Sequence, residues 1–160
     1  MPDTASVFLM FNNEAEDAAK FYASTFPNSE ITKIIRPQSD VPGTEAGAVQ
    51  IVEMVLCGIP TVLLNSGQDT PPNQTFSLQV YTKDQAETDK LWSAVTGNGG
   101  EPIMCGWCKD KWGFHWQITP HVLMDALSHS DPDAAARAQS AMLTMTKIDI
   151  AAIEAAIASG

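Results

Sequence analysis

The sequence predicts an α+β fold made of two β-α-β-β-β modules followed by C-terminal helices. Three observations lead there. An apolar run of strand length that feeds an acid-rich helix start occurs twice, near Ser6 and again near Thr75. Each time, three more strand-like runs come after the helix. After Pro120 the patterning turns helical to the end of the chain.

In the first module, residues 6–12 make a short apolar run that a polar cluster ends. Asn12 or Asn13 can accept hydrogen bonds from the free N–H groups of a helix start, and Glu14, Glu16 and Asp17 suit the positive end of its dipole. Ala18, Phe21, Tyr22 and Thr25 fall on one helical face, and Pro27 stops the helix. Strands are expected over 31–36 and 48–56, on either side of a loop bearing proline and glycine. Cys57-Gly58-Ile59-Pro60 reads as a tight turn into a strand over 61–66.

A polar stretch over 67–74, with Pro71-Pro72, separates the modules. A strand over 75–82 opens the second. Asp84 and Glu87 have the spacing of a capping box, Leu91, Trp92 and Val95 form an apolar stripe, and Gly97-Asn98-Gly99-Gly100 ends the helix. Strands are expected next over 102–105, 107–109 and 114–119. Beyond Pro120, Asp131-Pro132 supplies a cap and a first-turn proline, and Asp149 caps a last Ala/Ile-rich helix. Met142, Met145, Ile150 and Ile153 are expected to pack against the body or a partner. The modules thus span about 5–66 and about 75–120 of one domain, with a helical tail over about 121–160.

With 160 residues, 44% apolar and 18% charged, the chain can bury a core of its own. Nineteen acidic against nine basic residues give a net charge of −10, which repels phosphate backbones and anionic lipid, and no Lys/Arg cluster opposes it. Neither nucleic acid nor membrane is an expected partner. The start lacks a positive region leading into an apolar stretch, and no run approaches the ~20 apolar residues of a membrane span; a cytoplasmic location is the expectation. Cys57, Cys105 and Cys108 are an odd number at spacings unlike a secreted disulfide framework, so reduced thiols are expected.

Three segments carry a family resemblance: Asn12-Asn13-Glu14-Ala15-Glu16-Asp17-Ala18-Ala19-Lys20-Phe21-Tyr22, Thr25-Phe26-Pro27-Asn28-Ser29, and the run from Cys105-Gly106-Trp107-Cys108 through Asp110, Trp112-Gly113-Phe114-His115-Trp116-Gln117 to Pro120. They resemble the PhnB-like branch of the vicinal-oxygen-chelate superfamily, often labelled 3-demethylubiquinone-9 3-methyltransferase-like. The resemblance spans nearly the whole chain, to the Lys147-Ile148-Asp149-Ile150 segment. It implies a glyoxalase-like fold, two βαβββ modules whose mixed sheets curl, partly open, around a shared pocket, commonly in a homodimer. Function does not follow from that fold.

Metal-dependent relatives in the superfamily place His or Glu ligands on the first and last strands of each module. Here those positions hold Ser6 or Val7, Leu64 or Asn65, Ser77, and Gln117 in place of the usual Glu. Gln is a poor metal ligand, but its amide can orient a polar substrate. No metal or other cofactor is therefore expected. His115 lies two residues from Gln117 and projects to the same side of the strand, where its imidazole is suited to proton transfer; the competing reading is a hydrogen-bonded structural histidine.

Cys105-Gly106-Trp107-Cys108 has the spacing of a redox dithiol or half a zinc site, but the adjoining Lys109-Asp110-Lys111-Trp112-Gly113 reads as a β-turn rather than a helix. Buried thiols are the simpler reading. The methyltransferase label would require a cofactor site, yet no Gly-rich turn joins a strand to a helix. Trp92, Trp107, Trp112 and Trp116 could stack on an aromatic ligand, although core or hairpin packing accounts for most of them.

The leading expectation is a small-molecule binding protein or metal-independent enzyme with a pocket lined by Phe8, Met10, Asn65, Ser77, Gln79, Trp107, His115 and Gln117. Should it catalyse, His115 is the acid/base and Gln117 the orienting group. The alternatives are a metal-dependent lyase, isomerase or dioxygenase of the superfamily, and a protein that sequesters an antibiotic or metabolite unchanged.

Overall fold

The computed structural model describes residues 4–159 and divides into two compact units, 1–71 and 72–160. Unit one runs β1 (Val7–Phe11), α1 (Ala15–Thr25), β2 (Glu30–Ile35), β3 (Ile51–Leu56) and β4 (Ile59–Asn65). Its open sheet has the order β1-β4-β3-β2, with β1 parallel to β4 and the other pairs antiparallel. Unit two repeats this with β5 (Ser77–Thr82), α2 (Gln85–Gly97), β6 (Glu101–Pro102), β7 (Trp107–Lys109) and β8 (His115–Pro120), in the order β5-β8-β7-β6. The repeat expected from sequence is present as two βαβββ modules, and the fold is α+β.

Alternation decides which strand face is covered. In sheet one, Leu9, Phe11, Val52, Met54, Leu56 and Leu63 are buried, while Phe8 and Met10 on the other face of β1 are exposed. Helix α1 buries Ala15, Ala18, Ala19 and Tyr22, a stripe at i, i+3, i+4, i+7. The expected cap from Asn12 or Asn13 does not form. Glu14 occupies the cap position without a side-chain bond, and Asn65 Oδ1 on β4 accepts the Ala15 N–H at 2.9 Å instead.

The turn after β3 is shorter than its sequence suggests. Leu56 and Ile59 are Cα partners, so only Cys57 and Gly58 form the loop, and both have positive φ, 52° and 79°. That is the mirror-image turn whose twist suits a hairpin. Ile59 and Pro60 belong to β4; Pro60 tolerates this because β4 begins pairing with β1 one residue later, at Thr61.

In unit two, Leu78, Val80, Cys108, Trp116 and Ile118 are buried with Thr88, Leu91 and Val95 of α2. The capping box is real but offset: Asp84 accepts the Glu87 N–H at 2.8 Å, and Glu87 Oε2 reaches the N–H of Lys83 at 2.9 Å, one residue before the cap. The strand expected over 102–105 ends at Pro102. Cys105 and Gly106 form a second positive-φ turn, closed by Trp107 N–H on the Met104 carbonyl at 3.1 Å.

The tail forms α3 (His121–Leu127), α4 (Pro132–Met142) and α5 (Ile150–Ala158). Asp131 and Asp149 cap α4 and α5 through the N–H groups of Asp133 and Ala152, as expected. Leu123, Ala126, Ala138, Ile148 and Ile153 make its core, with Met142 and Met145 packed alongside. Gln85 ties the tail to α2: its amide donates to the Ile148 carbonyl at 3.1 Å and accepts the Ile150 N–H at 2.8 Å. Met145 and Thr146 accept the N–H groups of Cys105 and Gly106 at 2.7 Å. A Cβ on Gly106 would sit 2.9 Å from Ile148 Cγ1, so that contact requires glycine.

Candidate functional site

Strand register in sheet two brings a polar set onto one face. Ser77 pairs with His115 and Gln79 with Gln117 across β5 and β8, and Trp107 of β7 pairs with Gln117. Alternation puts all five side chains opposite the buried row of Leu78, Val80, Trp116 and Ile118.

These groups are held by one another. Gln117 Nε2 donates to Ser77 Oγ at 2.9 Å, Gln79 Nε2 donates to Thr119 Oγ1 at 3.2 Å, and Tyr81 OH donates to Gln79 Oε1 at 3.1 Å. Tyr81 in turn stacks on His121, with centroids 5.2 Å apart and planes 12° from parallel. The amide of Gln117 is therefore fixed, with its nitrogen toward Ser77. His115 differs: its Nδ1 is buried and has no hydrogen-bond partner among the described residues. An imidazole nitrogen in that state is costly unless a ligand or water completes it.

The three candidates in unit one lie on two faces. Phe8 and Met10 are 54% and 37% exposed and share the open face of β1. Asn65 pairs with Phe11 and lies on the covered face, where Oδ1 serves Ala15 and Nδ2 donates to the Val49 carbonyl at 2.9 Å. Asn65 also borders a cleft of about 880 Å³ beside α1 and the 36–49 loop. That cleft carries Arg36, whose guanidinium already reaches the Gly47 carbonyl at 3.1 Å and Glu16 at 3.4 Å.

Three side chains escaped the sequence reading. Thr119 and Tyr81 extend the sheet-two polar row by the same two-residue step that found His115, Gln117 and Gln79. Asp110, 2% exposed, organises the loop between β7 and β8: Oδ1 accepts the N–H groups of Trp112 (2.9 Å) and Phe114 (3.0 Å), and Oδ2 accepts the indole N–H of Trp116 (2.9 Å). Its signal was the Asp-x-x-Gly spacing to Gly113, whose N–H closes on the Asp110 carbonyl at 3.0 Å.

The cysteine pair does not have a reactive dithiol's surroundings. Cys105 sits in the turn before β7, whereas Cys108 is fully buried within β7, where burial and then the Asp110 charge push its thiol up to about 12. Burial likewise pushes Cys57 up to about 11.

The divalent metal that the family resemblance raises does not fit these residues. The polar row offers hydroxyls, neutral amides and one imidazole, and no group of three or more His, Cys, Asp or Glu lies together among the described residues.

Residues 3–119 match the family 3-demethylubiquinone-9 3-methyltransferase. Among solved structures, the PhnB protein of Bacillus cereus, which carries that methyltransferase name, is 29% identical with a TM-score of 0.65, over 74% of this chain and 99% of the other. A protein of Pseudomonas aeruginosa is 16% identical with a TM-score of 0.57, over 72% and 96%. The fosfomycin resistance protein FosX of Listeria monocytogenes, in complex with Mn(II) and sulfate, is 10% identical with a TM-score of 0.53, over 80% and 97%. At such identities these last two are similar in fold alone. No curated protein matches the chain.

Proposed function

Because the chain belongs to the 3-demethylubiquinone-9 3-methyltransferase family, we propose that it binds a small polar molecule on the open face of sheet two, without a metal. Gln117 and Ser77 form the orienting pair, Trp107 an apolar wall, and His115 the hydrogen-bonding and proton-transferring group. The chain acts in the cytoplasm as a homodimer.

The observation that carries this reading is the buried Nδ1 of His115, without a hydrogen-bond partner among the described residues, next to a glutamine and a serine joined by one hydrogen bond. A site of that kind recognises a ligand with a complementary polar group at one point and excludes analogues lacking it. Methyl transfer has less support. The junctions from β1 to α1 and from β5 to α2, Asn12-Asn13-Glu14 and Lys83-Asp84, contain no glycine turn to cradle a nucleotide-like donor.

Native mass spectrometry of chelator-treated protein, incubated with a metabolite library and sampled over time, tests the reading. Retained compounds of unchanged mass mean binding, and a product mass that disappears in His115→Ala means catalysis. Retention and turnover both unchanged in His115→Ala and Gln117→Leu would contradict it.

A further inference from the structure

In unit one, Glu53 is a nearly enclosed carboxylate with no partner among the described residues. Glu53 lies in the middle of β3, with Lys33 of β2 and Val62 of β4 as its Cα neighbours, and is only 9% exposed. Its backbone carbonyl accepts from Thr32 Oγ1 at 3.0 Å, but no described residue donates to its carboxylate. Lys33 stands opposite in register, yet the ion pairs among the described residues join Lys20 and Arg36 to Glu16, Lys109 to Glu101, and Lys147 to Asp89. The irregularity at Thr32 interrupts the ladder there, and Lys33 stays in solvent.

A pocket of about 220 Å³ adjoins this carboxylate, with Val55, Pro60 and Val62 in its wall and the hydroxyl residues Ser6 and Thr32 beside it. The pairings of Glu53 with Val62, Val62 with Phe8 and Val55 with Pro60 put it on the open face of sheet one. Buried carboxylates are ordinarily paired, and an apolar cavity with a single polar anchor is how proteins fix a small ligand.

We propose that this pocket is a binding site for a compact primary ammonium compound, whose N–H donors complete Glu53 while its apolar body fills the space between Val55, Pro60 and Val62. The volume is below the roughly 300–1,000 Å³ of drug-sized sites, which restricts the body to one small ring or a short alkyl chain. The net charge of −10 concentrates cations at the surface and repels anions. The site lies wholly within residues 6–62 and is independent of the sheet-two reading.

Calorimetric titration of the full chain with benzylammonium, cyclohexylammonium and butylammonium at neutral pH and low salt tests it, with benzyl alcohol as the neutral counterpart. At least one ammonium is expected to bind saturably, benzyl alcohol more weakly, and Glu53→Gln should weaken the ammonium by about tenfold or more while leaving the alcohol unchanged. An unfolding midpoint at or above that of the parent shows Glu53→Gln to be folded. Val62→Phe, which fills the cavity and spares the carboxylate, is expected to remove binding. The proposal is overturned if no ammonium binds, if amine and alcohol bind alike, or if either substitution leaves ammonium affinity unchanged.

Discussion

Asn65 and Ala15, fifty residues apart, share the hydrogen bond that starts helix α1: Asn65 Oδ1 accepts the Ala15 N–H at 2.9 Å. A side chain from the last strand of the module thereby replaces the helix's own cap, and its Nδ2 pins the Val49 carbonyl. Asn65→Ala strands both groups and is expected to cost about 1–3 kcal/mol in chemical denaturation. Asn65→Asp keeps the acceptor near the positive helix end but loses the bond to Val49, so it should fall between the two. A loss within error for Asn65→Ala would refute this role.

Asp110→Ala removes the acceptor of three N–H groups, two in the β7–β8 loop and the indole of Trp116 on β8, and is expected to cost about 3 kcal/mol. The buried indole of Trp116 loses its partner as well, so its fluorescence should change along with the unfolding midpoint. A stability loss without any change in Trp116 emission would show that the indole bond is not what Asp110 supplies.

Cys108 has a folded-state pKa raised from about 9 to about 12, first by burial and then by Asp110. Below pH 9 the thiol is neutral in both folded and unfolded chains and is compatible with folding. From about 9 upward the unfolded chain ionises first, so stability falls progressively as the pH approaches 12. Cys108→Ala should flatten that slope relative to the parent. In the native protein at pH 8, Cys108 should also resist alkylation until the chain unfolds.

Arg137 donates through Nε to the Ala156 carbonyl and through Nη2 to the Ile157 carbonyl, both at 2.9 Å, and so closes the C-terminus of α5 from α4. Arg137→Met is expected to lower stability by about 1 kcal/mol and to speed amide exchange over 150–158; Arg137→Lys should retain the charge but only one of the two bonds. Equal exchange in all three proteins would exclude a capping role.

The parts of this fold that a single sequence made legible are those decided within a few residues. Asp84 with Glu87, Asp131 with Pro132, and Asp149 each act on N–H groups in their own helix turn. The two-residue period placed Ser77, Gln79, His115 and Gln117 on one face because strand sidedness is a local property. Asn65 shows where this stops: its partner lies fifty residues back, and its face depends on pairing with Phe11 rather than Met10. Pro60 looked like part of a turn because proline cannot donate to a ladder, yet the neighbouring strand makes no demand on it until Thr61. Glu53 gave no sign among alternating apolar residues, since only the surrounding strands reveal that it is buried without a donor.

Ligand recognition by the sheet-two row of Ser77, His115 and Gln117 requires no metal in the proposed reading, and thermal unfolding of chelator-treated protein with added zinc, nickel or manganese checks this. None of the three metals is expected to shift the midpoint. A reversible rise of several degrees with one of them, lost in His115→Ala, would contradict it and make His115 a metal ligand.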